Sequence, residues 1–503
     1  MDIFGGLLFG FKNVLHPDIL FYCFLGVVIG TLIGVLPGIG PIAAMSILLP
    51  TTFGLSPASA IIMLAGIYYG AMYGGSTTSI LVNIPGEAAS VITCLDGYQM
   101  AKKGRAGPAL GISAIGSFIG GTLSVIALMF IAIPLSNAAL KFGPPEFFSL
   151  MCLSMSLISY LARGSTFNAI IMIIIGLILG TVGMDPITGF PRFYFGSSTL
   201  LDGIGLIPVA MGLFGISEIL MNIELKERTI LETKIKNIFP TLKDMKRSIG
   251  AILRGSVIGF FIGLLPGGGG VIPTFISYTL EKRISKNPNE FGNGAIEGVA
   301  GPETANNAGS TGAFVPMLAL GIPPNPVLAI LFGALLMHGV VAGPLLMQRY
   351  PDIFWGVIAS MYVGNIMLLI LNLPLIGLWV KVLKIPYRML MPLILLFCLV
   401  GCYAINNNPI EVFIMIIFGL IGYCLRRLGY ELAPMLIAMI LGPFMETNFR
   451  NSLLISDGSL KIFITRPISA ILLIAAACLF VTSGLSVYKK TKKKIKEVVI
   501  SDD

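Results

Sequence analysis

The sequence predicts an all-α polytopic membrane protein: two inverted-topology repeats with re-entrant or broken helical hairpins and about twelve spans. Three observations predict it. The 503 residues are 55% hydrophobic and 11% charged, with mean hydropathy +0.91; a soluble domain carries about 25% charged residues. A motif occurs twice, 229 residues apart: IGTLIGVLPGIG at 29–40 and IGFFIGLLPGGG at 258–269 agree at eight of twelve positions. Basic residues gather in short connections, and the side they mark switches between the two halves.

The N-terminal segment 1–19 reads as an interfacial helix or short hairpin. It lacks the basic start and small-residue site of a cleavable signal. Residues 20–221 form the first repeat. Its break is Pro37-Gly38-Ile39-Gly40-Pro41, followed by Gly75-Ser76-Thr77 and then Ile84-Pro85. A basic linker, 222–250, follows with Lys226, Arg228, Lys234, Lys236, Lys243, Lys246 and Arg247. The second repeat, 251–487, breaks at Pro266 and Gly267–Gly270, with the same echo at Gly309-Ser310-Thr311 and Ile322-Pro323. Long, nearly uncharged stretches at 168–182, 389–404, 410–425 and 469–487 read as spans. A lysine-rich tail, 488–503, closes the chain.

The positive-inside pattern places the linker and the C-terminus in the cytoplasm, where the tail can touch anionic lipid. It also accounts for the net charge of +9 without nucleic acid. In the second half, the broken segment from Arg254 leaves the basic linker and returns to Lys282-Arg283. Its first-half counterpart ends in an uncharged stretch. This reversal is what predicts inverted topology.

A hydrocarbon layer tolerates broken helices only where protein or water covers them. Pro37, Pro266, Pro85 and Pro323 mark the breaks, and Gly38, Gly40, Gly267 and Gly268 free backbone groups beside them. A helix starting after a break aims its N–H groups at an anion. The expected substrate contacts add Ser76, Thr77, Asn83, Asn306, Asn307, Ser310 and Thr311. The hydroxyls of Thr78 and Ser79 and the carboxylates of Glu297 and Glu303 are candidates for holding a coupling ion, and Glu87 is a further ionisable group in the region. Seven scattered cysteines and two histidines offer no metal cluster. No HExxH, GxSxG or Walker pattern suggests an enzyme.

Several long segments identify a resemblance. GVLPGIGP (34–41), YYGAMYGGSTTSILVNIPGEAASVITCLDGYQMAKKGRAGPAL (68–110), FGPPEF (142–147), PRFYFG (191–196), LLPGGGG (264–270), EGVAGPETANNAGSTGAFVPMLALGIPPNP (297–326) and LGPFMETNFRNSLLISDGSLKIFITRPIS (441–469) make the chain resemble the large membrane subunit of tripartite tricarboxylate transporters, the TctA family. The resemblance implies a permease in the bacterial inner membrane and a moving, elevator-type transport region. It implies two partners, a small membrane subunit and a periplasmic solute-binding protein. The implied cargo is a carboxylate of the citrate class, driven by a sodium or proton gradient without a cofactor. The competing readings are the permease of an ATP-driven importer and a carboxylate channel.

Overall fold

The computed structural model describes residues 2–36, 40–162, 165–223, 237–383 and 387–482. It is helical almost throughout. The first half holds α1 (Ile3–Val14), α2 (Pro17–Val35), α3 (Gly40–Leu48), α4 (Pro57–Val82), α5 (Thr93–Lys102), α6 (Ala106–Ala139), α7 (Pro144–Leu161) and α8 (Thr166–Gly180). A two-stranded antiparallel ribbon follows, β1 (Gly183–Met184) on β2 (Pro191–Arg192). Helices α9 (Leu206–Ala210) and α10 (Ser217–Ile223) are joined by a π-helical turn, Met211–Ile216. The second half holds α11 (Leu242–Gly263), α12 (Val271–Ile284), α13 (Glu297–Gly312), α14 (Phe314–Leu320), α15 (Pro326–Met337), α16 (Leu346–Arg349), α17 (Pro351–Asn372), α18 (Ile376–Val382), α19 (Tyr387–Asn406), α20 (Pro409–Arg427), α21 (Ala433–Ile455) and α22 (Ile462–Thr465), then an apolar helix, Pro467–Thr482.

Six helices among the described residues are long and apolar enough to cross a membrane: Pro17–Val35, Pro57–Val82, Ala106–Ala139, Leu206–Ile223, Pro351–Asn372 and Pro409–Arg427. Six shorter apolar helices accompany them, including Thr166–Gly180 and Pro467–Thr482. The expected dozen spans thus correspond to six full-length helices and a set of shorter ones. Shortening at Pro/Gly breaks is the physical reason: α3, for instance, is cut to nine residues between the first break and Pro50.

Element ends follow local chemistry. Ser56 caps α4 by accepting from Ser59 N at 3.2 Å, with Pro57 in the first turn. Asn83 ends it in the left-handed conformation at φ 58°. Gly321 ends α14 the same way at φ 72°. Each is followed by an Ile-Pro, so the sequence echo is a helix stop made twice. Asn325 then caps α15 through Leu328 N at 2.9 Å. Helix α11 starts at Leu242 through a Thr241–Asp244 capping box. It therefore begins inside the segment read as linker; residues 224–236 and the basic tail lie outside the described residues. The N-terminal segment is also packed: Gly6 and Gly10 of α1 lie against Trp355 of α17.

Two compact units divide the chain, each drawing on both halves. One comprises Met1–Leu140 and Ile207–Tyr423, the other Lys141–Leu206 and Cys424–Asp503. The first unit contains two pairs of parallel helices in backbone contact. Gly26, Gly30 and Gly34 of α2 face the carbonyl oxygens of Met63, Ile67 and Ala71 on α4. Gly255, Gly259 and Gly263 of α11 face those of Gly301, Ala305 and Gly309 on α13. A Cβ at any of the six would lie under 3.0 Å from the opposing carbonyl oxygen. The two triplets stand at the same spacing as the duplicated motif, so the repeat extends from sequence into packing. The register pairs Gly309 with the position of Ala71, one turn before Gly75. The Gly-Ser-Thr echoes are thus offset by a turn relative to the helix pairs. Along α13, Gly301 meets Ser277 and Glu281 of α12 whereas Gly309 meets Pro273. Helix α12 therefore runs back antiparallel to α11 as a hairpin, and Arg254 ties the two arms by a bidentate pair to Glu281, both bonds 2.7 Å.

Asp96 of α5 anchors the loop before α13. Its Oδ1 accepts from Gly292, Gly294 and Ala295 N at 2.8, 2.7 and 2.9 Å, and its Oδ2 from Tyr278 Oη at 2.9 Å.

In the second unit, α21 packs on α7 and α8. Gly176 of α8 abuts the Met435 carbonyl. The ribbon is held by ion pairs: Arg450 to Asp185 at 2.6 Å, and Arg192 to Glu446 at 2.7 Å. The Thr188 N–H, the Arg450 guanidinium and the Ile187 N–H together hold the Asp185 carboxyl well below the usual range. Phe190, Phe193 and Phe195, in and after this ribbon, are exposed.

Two outcomes test this packing by thermal unfolding of the purified protein. Gly259→Ala should destabilise it by roughly 1–3 kcal/mol, since neither helix can yield backbone. Gly377→Ala, with no atom within 4 Å of the new Cβ, should not destabilise it, since helix propensity favours alanine by up to about 1 kcal/mol. Asp96→Asn turns an acceptor into a donor facing N–H groups and should cost about 1–3 kcal/mol; unchanged unfolding would contradict the anchor.

Candidate functional site

Both breaks are present as helix interruptions. The first lies between α2 and α3; Pro37, Gly38 and Ile39 are outside the described residues, while Gly40 opens α3 at φ 64°. The second spans Leu264–Gly270, with Gly267 at φ 80° and Gly269 at φ 48°. Positive φ is why glycine recurs at these points.

The end of α2 and the second break each abut the Ile-Pro turn of their own half. Gly86, after Ile84-Pro85, packs against the Gly34 carbonyl and Gly75 Cα so closely that a Cβ there would overlap both. Gly267 N donates to the Pro324 carbonyl, beside Ile322-Pro323, at 2.8 Å. Gly268 lies over the Ile262 and Leu265 carbonyls. The second break also reaches into the first half, where a Cβ on Gly270 would lie 2.7 Å from Ala89 Cβ and 2.8 Å from Asn306 Oδ1.

Around this meeting point the first unit is polar and closed. Ser76, Thr77, Thr78, Ser79, Glu87, Thr93, Glu303, Asn306, Asn307, Ser310 and Thr311 are all buried. Buried polar groups must be paired, and the pairings cross between halves. Asn306 Nδ2 donates to Glu87 Oε1 at 3.0 Å. Thr93 Oγ1 donates to Glu303 Oε1. Asn307 Nδ2 donates to Ser117 Oγ of α6 at 2.7 Å. Asn325 Nδ2 donates to Tyr68 Oη of α4 at 3.1 Å. Thus each half supplies a carboxylate that accepts from a side chain of the other.

The hydroxyls have a common orientation. Ser76, Ser79, Ser310 and Thr311 donate to the carbonyls of Tyr73, Gly75, Asn306 and Asn307 on their own helices. Thr78 donates across to the Val35 carbonyl at the end of α2, at 2.7 Å. Their protons are spent on backbone, so their oxygens remain as acceptors. As placed they suit a cation or a donor-bearing ligand. A carboxylate would take its donors from backbone N–H groups; Gly270, at the start of α12, provides no side-chain cap to that helix.

Next to the cluster is a cavity of about 10 Å³, room for one water, lined by Tyr69, Tyr73, Asn307, Thr311 and Asn365 among others. Asn365 of α17 accepts from Tyr73 Oη at 2.5 Å and donates to the Phe118 carbonyl and Thr122 Oγ1, both at 2.9 Å.

The expected residues therefore separate. Those brought together are Ser76, Thr77, Thr78, Ser79, Glu303, Asn306, Asn307, Ser310 and Thr311, with Gly267, Gly268 and Pro266 at the adjoining break and Pro85 and Pro323 in the turns beside it. Asn83 is exposed at its helix stop. Glu297 sits at the start of α13 in a bidentate pair with Arg247, at 2.8 and 2.9 Å. Thr93, Ser117, Tyr68, Asn325 and Asn365 belong to the cluster and are not among the expected site residues, although Tyr68, Thr93 and Asn325 lie inside the segments that carry the family resemblance. For Ser117 and Asn365 the only sequence signal is a polar group in an apolar segment.

The model of the family described as Tripartite tricarboxylate transporter TctA family matches residues 20–437. The chain is 49% identical to the uncharacterized 52.8 kDa protein in the TAR-I ttuC' 3'region of Agrobacterium vitis, over 98% of this chain and 99% of that protein. It is 50% identical to the uncharacterized protein in the TAR-II ttuC' 3'region of the same organism, over 49% of this chain and all of that protein. No solved structure matches. Apolar helices of spanning length, a closed polar core between two helix breaks and a family match across most of the chain agree: this is a multi-pass membrane protein and a member of the tripartite tricarboxylate transporter TctA family.

Proposed function

We propose that the chain is the permease subunit of a secondary active importer of tricarboxylates or related carboxylates of the citrate class. Transporters of this family act with a small membrane subunit and a periplasmic solute-binding protein, and this chain takes its cargo from such a binding protein in the bacterial inner membrane. The basic linker and tail face the cytoplasm. The cargo binds beside the two breaks, against Gly40, Gly267 and Gly268 and the buried Ser76, Thr77, Asn306, Asn307, Ser310 and Thr311. The coupling ion is sodium or a proton, held near Thr78, Ser79 and Glu303.

The observation that carries this reading is the buried polar core shared by both halves and flanked by the two breaks. A structural core of this size would be apolar; buried polar side chains without a ligand role are expensive. The matched glycine pairs support two repeats, and the charge pattern of the sequence supports their inverted topology. An elevator-type motion of the transport region is what the family resemblance implies.

Reconstituted uptake tests the reading. With the cognate binding protein and small subunit, proteoliposomes should accumulate citrate against its gradient when an inward ion gradient is imposed. ATP should be without effect. Ser310→Ala and Asn307→Ala should each lower uptake by about tenfold or more at unchanged expression. Replacing external sodium by choline at constant pH separates the two coupling ions. Equilibration without accumulation would indicate a channel and overturn the proposal.

A further inference from the structure

Two oxygens in the polar core have no partner: Glu303 Oε2 and Asn306 Oδ1. Their side chains are 1% and 0% exposed, so water does not serve them from outside. They stand one helical turn apart on α13 and share a face. The remaining atoms of both groups are engaged, Glu303 Oε1 by Thr93 and Asn306 Nδ2 by Glu87. An unpaired buried acceptor is costly, and a native structure keeps one where something else fills the gap.

The charge around these atoms points the same way. Among the described residues no basic side chain pairs with Glu303, and the charge that reaches it is that of Glu87, of like sign. Glu87 is stabilised by the Ala89 N–H and the Asn306 amide. An ionised Glu303 has no basic partner among the described residues to compensate it, and the free amide oxygen of Asn306 lies one turn along the same face. Oxygen-only surroundings select a hard cation. A divalent ion would call for more carboxylates, and no group of three His, Cys, Asp or Glu side chains lies together among the described residues.

We propose that Glu303 Oε2 and Asn306 Oδ1, with Glu87 beside them, hold a single positive charge, either a dehydrated sodium ion or a proton. The ion's role as driving ion rests on the transport reading; its binding does not. The site joins the halves, because Glu303 and Asn306 belong to the second and Glu87 and Thr93 to the first. Ionisable or charged groups on the elements packed against α13 are Tyr68, Tyr69 and Tyr73 on α4, Glu87 capping the short turn Ala88–Val91, Cys94, Asp96, Tyr98 and Lys102 on α5, Arg105 just before α6, Lys243, Asp244, Lys246, Arg247 and Arg254 on α11, and Tyr278, Glu281, Lys282 and Arg283 on α12. Of these, Glu87 and Cys94 interact with the Glu303 charge.

The test is ion-dependent thermal unfolding of the purified full-length chain. Sodium is exchanged for choline at constant ionic strength and pH, and pH is then varied without sodium. A saturable sodium-induced rise in Tm, abolished in Glu303→Gln and kept in Glu290→Gln, supports a sodium site. A Tm that rises as pH falls without sodium, flat in Glu303→Gln, supports a proton. If Glu303→Gln does not fold, Asn306→Ala should raise the half-saturating sodium concentration, or shift the pH midpoint, by about tenfold. Neither sodium nor pH dependence in the parent protein, or a dependence that survives in the variant that folds, overturns the proposal. The measurement uses no carboxylate and no partner subunit, so it succeeds or fails independently of uptake.

Discussion

The first unit depends on backbone meeting backbone. Where α2 crosses α4 and α11 crosses α13, glycine hydrogens rest on the carbonyls of the facing helix. In an apolar solvent there is no hydrophobic gain in bringing two helices together, so van der Waals contact at short range must supply the attraction. Each glycine costs roughly 1 kcal/mol of helix propensity relative to alanine. That loss is offset because small residues bring two whole helix faces within contact. The same close approach draws the ends of α2 and α11, and with them the breaks, onto the Ile-Pro turns.

A polar core becomes tolerable inside that frame. Glu87, Glu303, Asn306 and Asn307 could not remain buried on a mobile scaffold, because each pairing across the halves must be held at hydrogen-bond distance. Asp96 performs the same service ahead of the start of α13, where one carboxylate gathers three backbone N–H groups of a loop that would otherwise be unsatisfied. Structure and polarity are therefore linked: rigid apolar packing pays for the desolvation of the groups that could meet an ion.

The parts legible in the sequence were those with a local cause. Proline and glycine at 37–41 and 264–270 interrupt helices for stereochemical reasons that need no partner. The Ile-Pro echoes predicted a repeated event, which is a left-handed helix stop at Asn83 and Gly321. Long-range pairing was not legible. Thr93 and Glu303 are 210 positions apart, and nothing near Thr93 announces a carboxylate. The glycine triplets were in view at matched spacing, yet small residues are common in membrane helices; only their facing carbonyls distinguish them. Asn83 was read for its amide, whereas its backbone conformation explains the residue. Glu297 was read as an ion ligand, and its pair with Arg247 could not be foreseen from two residues 50 positions apart.

The glycine contacts also limit how the molecule can deform. A helix whose neighbour's carbonyls occupy the places of its Cβ atoms can neither rotate nor advance by a residue, because every residue that follows these glycines (Val27, Thr31, Val35, Ser256, Phe260 and Leu264) carries a side chain. Each pair thus behaves as one beam with its internal degrees of freedom removed. Compliance is left to the segments without such contacts: Gly267 and Gly269 in the second break, Gly40 at the first, and the turn after Gly321. The second break adjoins the polar core, where Gly270 lies against Asn306, so bending there alters the distance between the groups that hold the charge while the beams stay intact.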